Sequence, residues 1–324
     1  YNTIRIPVEA VLGRDGNGLP DCAIAESKFE KGENISGRML ALVSRMSEIR
    51  QKGTPDMEFA VSGLLARSQI AAGQSKDARR TLLSLREQFA EQERRRFLPN
   101  IDVMLCRIDL HTGSLDSADE WYRTKAPRDP IHLNVMKRYQ YFTQAMVEIA
   151  DGKTDAALMT LSPLEPYLQN CARYIDSIHL NILMAIILCR GKDEDWRDRL
   201  TRALDTAAEY RFIRTVSIYG TAVLPLLEKL EWSGNAKWYR HLMAEVRAQA
   251  AFYPHFMQPR LAPGEALTPM ELQILHLICA DNSNAEIGQI LNIKLPTVKT
   301  HVSHLRAKLR ALDPDIQYIE TVWG

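Results

Sequence analysis

The chain has 324 residues, 46% hydrophobic and 25% charged, the profile of a globular protein with a sizeable core and not of a disordered or fibrous one. Forty-one basic against forty acidic residues leave a net charge of +1, so any nucleic-acid surface has to be a local concentration of charge. Five cysteines (Cys22, Cys106, Cys171, Cys189 and Cys279), odd in number and without a C-x-x-C pair, argue against a disulfide framework or a cysteine zinc site and for a reducing, cytoplasmic setting.

Residues 1–20 show no periodicity and read as an irregular segment beginning at Tyr1, with nothing resembling a signal peptide. From 21 to 250 a repeat sets the pattern. Gly32, Gly73, Gly113, Gly152, Gly191 and Gly234 follow one another at intervals of 41, 40, 39, 39 and 43 residues. Seven residues before them stand Ala25, Ala66, Cys106, Ala145, Met184 and Leu227. Five after come Gly37, Ala78, Ala118, Ala157, Trp196 and Tyr239, and nine after Ala41, Leu82, Tyr122, Leu161, Leu200 and Met243. A glycine that ends one helix in the left-handed conformation, flanked by small residues that let two helix axes approach, describes a helical hairpin. Six such hairpins predict an all-α solenoid, which presents an extended concave surface for peptides, proteins or ligands.

Within this region several sharper readings fail. Gly32 to Met39 has glycines at phosphate-loop spacing, but no preceding strand, no lysine for the phosphates and no hydroxyl for magnesium. Arg94, Arg95 and Arg96 form a basic run that reads as a solvated helix face, since Glu87, Glu91 and Glu93 lie nearby. Trp121, Trp196, Trp232 and Trp238 fall inside the repeats as core or groove residues. The longest apolar stretch, Ile182 to Cys189, is well short of the roughly 20 residues that cross a bilayer, so no membrane partner is expected. The eight histidines lack metal-ligand spacing, and no nucleophile or acid–base motif supports an enzyme. Residues 251–266, with Pro254, Pro259, Pro263 and Gly264, have the composition of a linker.

Residues 267–324 then form a second domain, whose organised part spans about 267–309. Thr268 and Glu271 stand in capping-box spacing with Pro269 at the first helical position, predicting a helix with Leu272, Leu275, Ile278 and Cys279 on its apolar face. Ser283 and Glu286 repeat the box and open a short helix with Ile287, Ile290 and Leu291 inward. Asn292 and Ile293 supply a turn, and Pro296 starts a third helix. There Val298, Val302, Leu305 and Leu309 follow steps of 4, 3 and 4 toward the core, while Lys299, Ser303, Arg306 and Arg310 lie outward with Thr300 beside them. Between Lys294 and Arg310 there are five basic residues and no acidic one, the charge pattern of a helix that docks against phosphates in a major groove.

Leu267-Thr268, Glu271, Ser283-Asn284, Glu286-Ile287, Ile293, Thr297-Val298-Lys299, His301 and Lys308-Leu309 together resemble the LuxR/GerE helix-turn-helix family of transcriptional regulators. The glycine-punctuated array resembles tetratricopeptide repeats, with a period longer than their usual length of about 34 residues. Joined in this order, the two resemble the C-terminal portion of MalT-like, ATP-dependent regulators. That resemblance implies double-stranded DNA as partner, with Lys299, Thr300 and Ser303 facing bases and Thr297 a phosphate. Lys294, His304, Arg306 and Arg310 complete the expected DNA-binding set. It also implies a small-molecule inducer or a regulatory protein on the repeats, self-association on DNA, no cofactor or metal in this chain, and any ATP site in a module upstream of Tyr1. His301 reads as a partly packed family position rather than a metal ligand.

The sequence departs from the family at Asp281-Asn282, where a glycine usually precedes Ser-Asn, and at Lys294, where a serine often caps the recognition helix. The usual Gly-Val before a fourth helix is absent. Residues 310–324 read either as a divergent fourth helix or as a shortened wing-like hairpin of the winged-helix type. The alternative to a regulator is a tetratricopeptide-type interaction scaffold whose C-terminal helices merely cap the solenoid.

Overall fold

The computed structural model describes residues 19–127, 134, 137–170, 173–258, 268–280 and 282–312, and among these the protein is all-α. It divides into two compact units, Tyr1–Pro259 and Arg260–Gly324.

The first unit is the helical array. Three helices, α1 (Leu19–Glu30), α2 (Ser36–Ser44) and α3 (Met46–Lys52), lead into the hairpin α4 (Pro55–Ala71) and α5 (Ser75–Glu91). The hairpins α6/α7 (Leu98–Thr112, Leu115–Lys125) and α8/α9 (Arg138–Ala150, Thr154–Leu161) follow, then the short α10 (Leu164–Asn170). Next come α11/α12 (Tyr174–Arg190, Trp196–Glu209), the single turn α13 (Arg214–Ser217), and α14/α15 (Gly220–Lys229, Ala236–Phe252). The first helices of neighbouring hairpins stack, α6 on α8, α8 on α11 and α11 on α14. Ala66 to Met257 thereby share one apolar core, while Cys22 to Leu64 form a smaller one.

The glycine grammar holds where it is physically needed. Gly32, Gly73, Gly113 and Gly152 all take φ between 73° and 76°, and the residue after each closes the helix by donating to a carbonyl five residues back. At the fifth copy α11 runs one residue longer. Gly191 stays helical at φ −73°, and Lys192 takes the left-handed position at φ 60°. At the sixth, Gly234 ends no helix; the Asn235 side chain caps α15 by accepting from the backbone N–H of Lys237 and Trp238. That cap shifts the phase, so Trp238 and Leu242 are buried in place of Tyr239 and Met243. The first copy is shifted likewise: Gly37 and Ala41 are exposed, while Met39 and Leu42 are buried.

One expectation is corrected here. The linker does not begin at 251, because α15 continues to Phe252 and Tyr253, Phe256 and Met257 are buried in the array. Within the array the last elements also return to the first. Ile213 N–H donates to Glu30 O at 2.6 Å, and Thr215 Oγ1 donates to Glu30 Oε2 at 2.7 Å. Gln249 Nε2 and Tyr253 Oη donate to the Ala71 and Ile70 carbonyls at the end of α4, at 2.8 and 2.9 Å. His111 at the end of α6 stacks on Phe256 and meets Tyr253 edge-on. Arg190 at the end of α11 donates to the Met257 carbonyl. The segment 249–257 thus crosses the ends of successive inner helices and satisfies carbonyls that a helix end otherwise leaves to water.

Arg95 and Arg96 of the basic run are exposed, as a solvated face requires, but the ion pairs of the run are made with other acids than Glu87, Glu91 and Glu93. Arg94 pairs with the buried Glu58 at 3.2 Å and Arg96 with Asp56 at 2.6 Å. No described helix is long and apolar enough to cross a membrane, and no group of three potential metal ligands occurs among the described residues.

Candidate nucleic-acid interface

The second unit is built from α16 (Pro269–Cys279), α17 (Asn284–Ile290) and α18 (Leu295–Leu312). Both capping boxes form. Glu271 N–H donates to Thr268 Oγ1 at 3.2 Å, and Thr268 N–H donates to Glu271 Oε2 at 2.7 Å. Glu286 N–H donates to Ser283 Oγ at 3.3 Å, and Ser283 N–H donates to Glu286 Oε2 at 2.7 Å. These reciprocal bonds start α16 and α17 at residues the sequence alone determines. Asn292 at φ 53° makes the tight turn between α17 and α18.

Ile274, Ile287, Val298, Val302 and Leu305 make the core of this unit, with Leu272, Leu275, Ile278 and Leu291 packed around it. Two predicted core positions are corrected. The inward face of α16 centres on Ile274, and Cys279, about 140° round the helix from it, is exposed. Ile290 is 56% exposed, because the inward arc of α17 lies between Ile287 and Gly288 and includes Leu291. Gly288 sits against the following turn, where a Cβ would lie 2.9 Å from Ile293 O. Leu309's side chain lies outside the described residues.

On α18 the buried face of Val298, Val302 and Leu305 turns the predicted readers outward. Lys294, Thr297, Lys299, Thr300, Ser303, His304 and Arg306 are all exposed, and His301 is half-buried as expected. Thr300 Oγ1 donates back to Pro296 O at 3.0 Å, so its hydroxyl hydrogen is engaged within the helix while the oxygen still faces outward. Arg310 lies in the last turns of α18, but its side chain, like the whole of residues 313–324, is outside the described residues. At the start of α18 the Thr297 and Val298 N–H groups donate to the Lys294 carbonyl. Lys299 and Arg306 lie about 20° apart round α18, to one side of its hydrophobic face, and Lys294 stands just before the first turn.

One contact of this unit was not anticipated. Lys308 Nζ donates to Glu271 Oε2 at 2.6 Å and ties the end of α18 to the start of α16. Burial alone would raise the Glu271 pKa, but the bonds from Lys308 and Thr268 outweigh it and hold the carboxyl at about 2. The basic count of α18 therefore divides, with Lys308 serving the fold. A fixed Glu at the third helical position and a Lys on the far helix were both visible, but nothing in spacing alone pairs them across 37 residues.

Residues 265–313 match the family model for bacterial regulatory proteins of the luxR family, and residues 41–233 match that for the MalT-like TPR region. Among curated relatives, the HTH-type transcriptional regulator MalT of Vibrio campbellii is 27% identical over 216 residues, covering 61% of this chain and 24% of that protein. MalT of Cronobacter sakazakii is 25% identical over 276 residues, covering 79% of this chain and 30% of that protein. The transcriptional regulatory protein LiaR of Bacillus subtilis is 47% identical over 51 residues, covering 16% and 24%. The chain thus spans about a quarter to a third of the length of the MalT proteins it matches. No solved structure matches it. With a TPR model covering more than half of its residues and a luxR-type unit after it, the chain belongs to the MalT-like family of helix-turn-helix transcriptional regulators.

Proposed function

We propose that the α18 helix docks in the major groove of promoter DNA, reading bases through Lys299, Thr300 and Ser303 and holding phosphates through Lys294, Thr297, Arg306 and Arg310. The observation that carries this is the arrangement of α18 itself. Val298, Val302 and Leu305 are consumed by the core of the second unit, and Lys299, Thr300, Ser303 and Arg306 are exposed with no acidic neighbour on the same helix. The closed helical array receives the signal, either a small inducer or a regulatory protein, and the signal acts through self-association, since two tethered half-site contacts gain far more than one.

Fluorescence anisotropy of the intact chain on random duplex DNA tests this. Affinity is expected to fall steeply with salt, and the Lys299→Ala plus Arg306→Ala variant is expected to lose about 1–3 kcal/mol or more. A wild type without affinity at low salt, even when dimerised through a fused coiled coil, would end the reading. Sedimentation with and without the inducing ligand tests the second half. Transcriptional response with no change in size would exclude self-association as the mechanism.

A further inference from the structure

The closed array encloses charged side chains. Arg67 on α4, Arg107 on α6, Tyr139 on α8, and Arg214 and Ile218 near α13 line three hollows, all of which share Arg67 and Ile218.

The arginines around these hollows are not equivalent. Arg67 pairs with Glu26 and Glu30, Arg138 and Arg173 both pair with Asp176, and Arg214 pairs with Glu245. Arg107 makes no ion pair among the described residues. Its Nε donates to Thr143 Oγ1 at 2.7 Å, its guanidinium lies 3.6 Å from the Tyr139 ring centroid, and it is 6% exposed. Its Nη2 is buried without a hydrogen-bond partner among the described residues. A buried cation without a counter-charge is strongly unfavourable, so a folded protein that keeps one has a use for it. His179, in the same interior, has its pKa lowered first by burial and then by the fields of Arg107 and Arg67, and Glu26, Glu30 and Asp176 line the same hollow. On the other side of Arg107 the wall is apolar, made of Ile70, Leu82, Met104 and Ile108.

We propose that this interior binds a small organic acid, with its carboxylate ion-paired to Arg107 and its hydrocarbon body against Met104 and Ile108. One uncompensated guanidinium matches a single negative charge, and a planar carboxylate suits its fork. The apolar wall gives no hydrogen bonds to a sugar or a polyphosphate, and so selects an acid with a short aliphatic or aromatic body. The inference names the ligand class for the signal site and rests on the array being a receiver of small molecules.

Calorimetry and thermal unfolding of the full chain at constant ionic strength test it, using acetate, butyrate and hexanoate against hexan-1-ol and hexylamine. Hexanoate is expected to bind and raise the midpoint more than butyrate or acetate, with no response to the alcohol or the amine. Arg107→Met is expected to weaken hexanoate by about tenfold or more. Its unliganded midpoint should equal or exceed that of the wild type, because the substitution removes an unpaired buried charge; a merely structural arginine would instead leave the variant less stable. If Arg107→Met does not fold, Met104→Phe is read in its place, and narrowing the apolar wall should weaken hexanoate while leaving acetate unchanged. Equal responses to acid, alcohol and amine, no response to any acid, or unaltered hexanoate binding in the variant that folds would overturn the proposal. Binding is read without DNA. Hexanoate binding that leaves DNA affinity and self-association unaltered overturns the signalling role alone, and loss of DNA affinity leaves this proposal standing.

Discussion

The two units use polar residues in opposite ways. In the helix-turn-helix unit Lys299 and Arg306 of α18 are exposed, and α16 and α17 start where their own sequence places them because their caps are local. In the array, the inner helix α6 buries Arg107, Asp109 and His111 among apolar neighbours, and their partners stand 30 or more residues away or cross from the last helices to the first. A surface site can be read from periodicity, because exposure requires only that one face be polar. An interior site cannot, because it depends on which distant side chains converge and which charges they leave unpaired.

The comparison breaks most visibly if the units do not melt separately. Ile274→Ala, at a fully buried position, is expected to remove about 2–5 kcal/mol from the C-terminal unit and to leave the array's transition unmoved in calorimetry. A single transition that shifts as a whole would show that the units are not independent.

The Glu271–Lys308 clasp offers the next effect and a pH dependence. The folded pKa of Glu271 is depressed to about 2 from 4.5, so its contribution is fully present above about pH 4.5 and is lost as pH falls toward 2. Lys308→Met should destabilise the unit by about 1–3 kcal/mol at pH 7, with solvent access to Lys308 favouring the lower end, and the difference should vanish near pH 2. A pH-independent difference in urea unfolding would assign the loss to packing instead.

Closure of the array is tested at Gly73, which takes φ +76° and whose absent Cβ would lie 2.8 Å from the Phe252 ring. Gly73→Ala is expected to lose about 1–2 kcal/mol from the left-handed conformation alone, and more from the ring. Combining it with Phe252→Ala should recover the second part, and strict additivity in the double-mutant cycle would deny the contact. The smallest effect is a gain. Lys192→Gly, at φ 60°, should stabilise the array by up to about 1 kcal/mol in thermal unfolding, whereas Gly191→Ala should be tolerated.

The repeat was legible because glycine, a small residue and an apolar residue recur at fixed offsets, and four of the six glycines are left-handed where the pattern places them. It blurred at both ends, where Met39 and Leu42, and later Trp238 and Leu242, take over the buried positions. There the phase is set by local turns and by the Asn235 cap, not by the glycine.

What the amino-acid order determined by itself was everything that depends on neighbours along the chain. It specified the all-α class, the hairpin period, both capping boxes, the turn at Asn292 and the outward row of Lys299, Ser303 and Arg306. Only the tertiary structure decided that Ile290 faces out, that Lys308 belongs to the fold, that residues 251–257 seal the array, and that Arg107 is buried without a counter-charge among the described residues. The physical reason is range. Helix formation and capping act within four residues, whereas burial and the pairing of charge are settled by contacts that separate by as many as 185 positions in the chain.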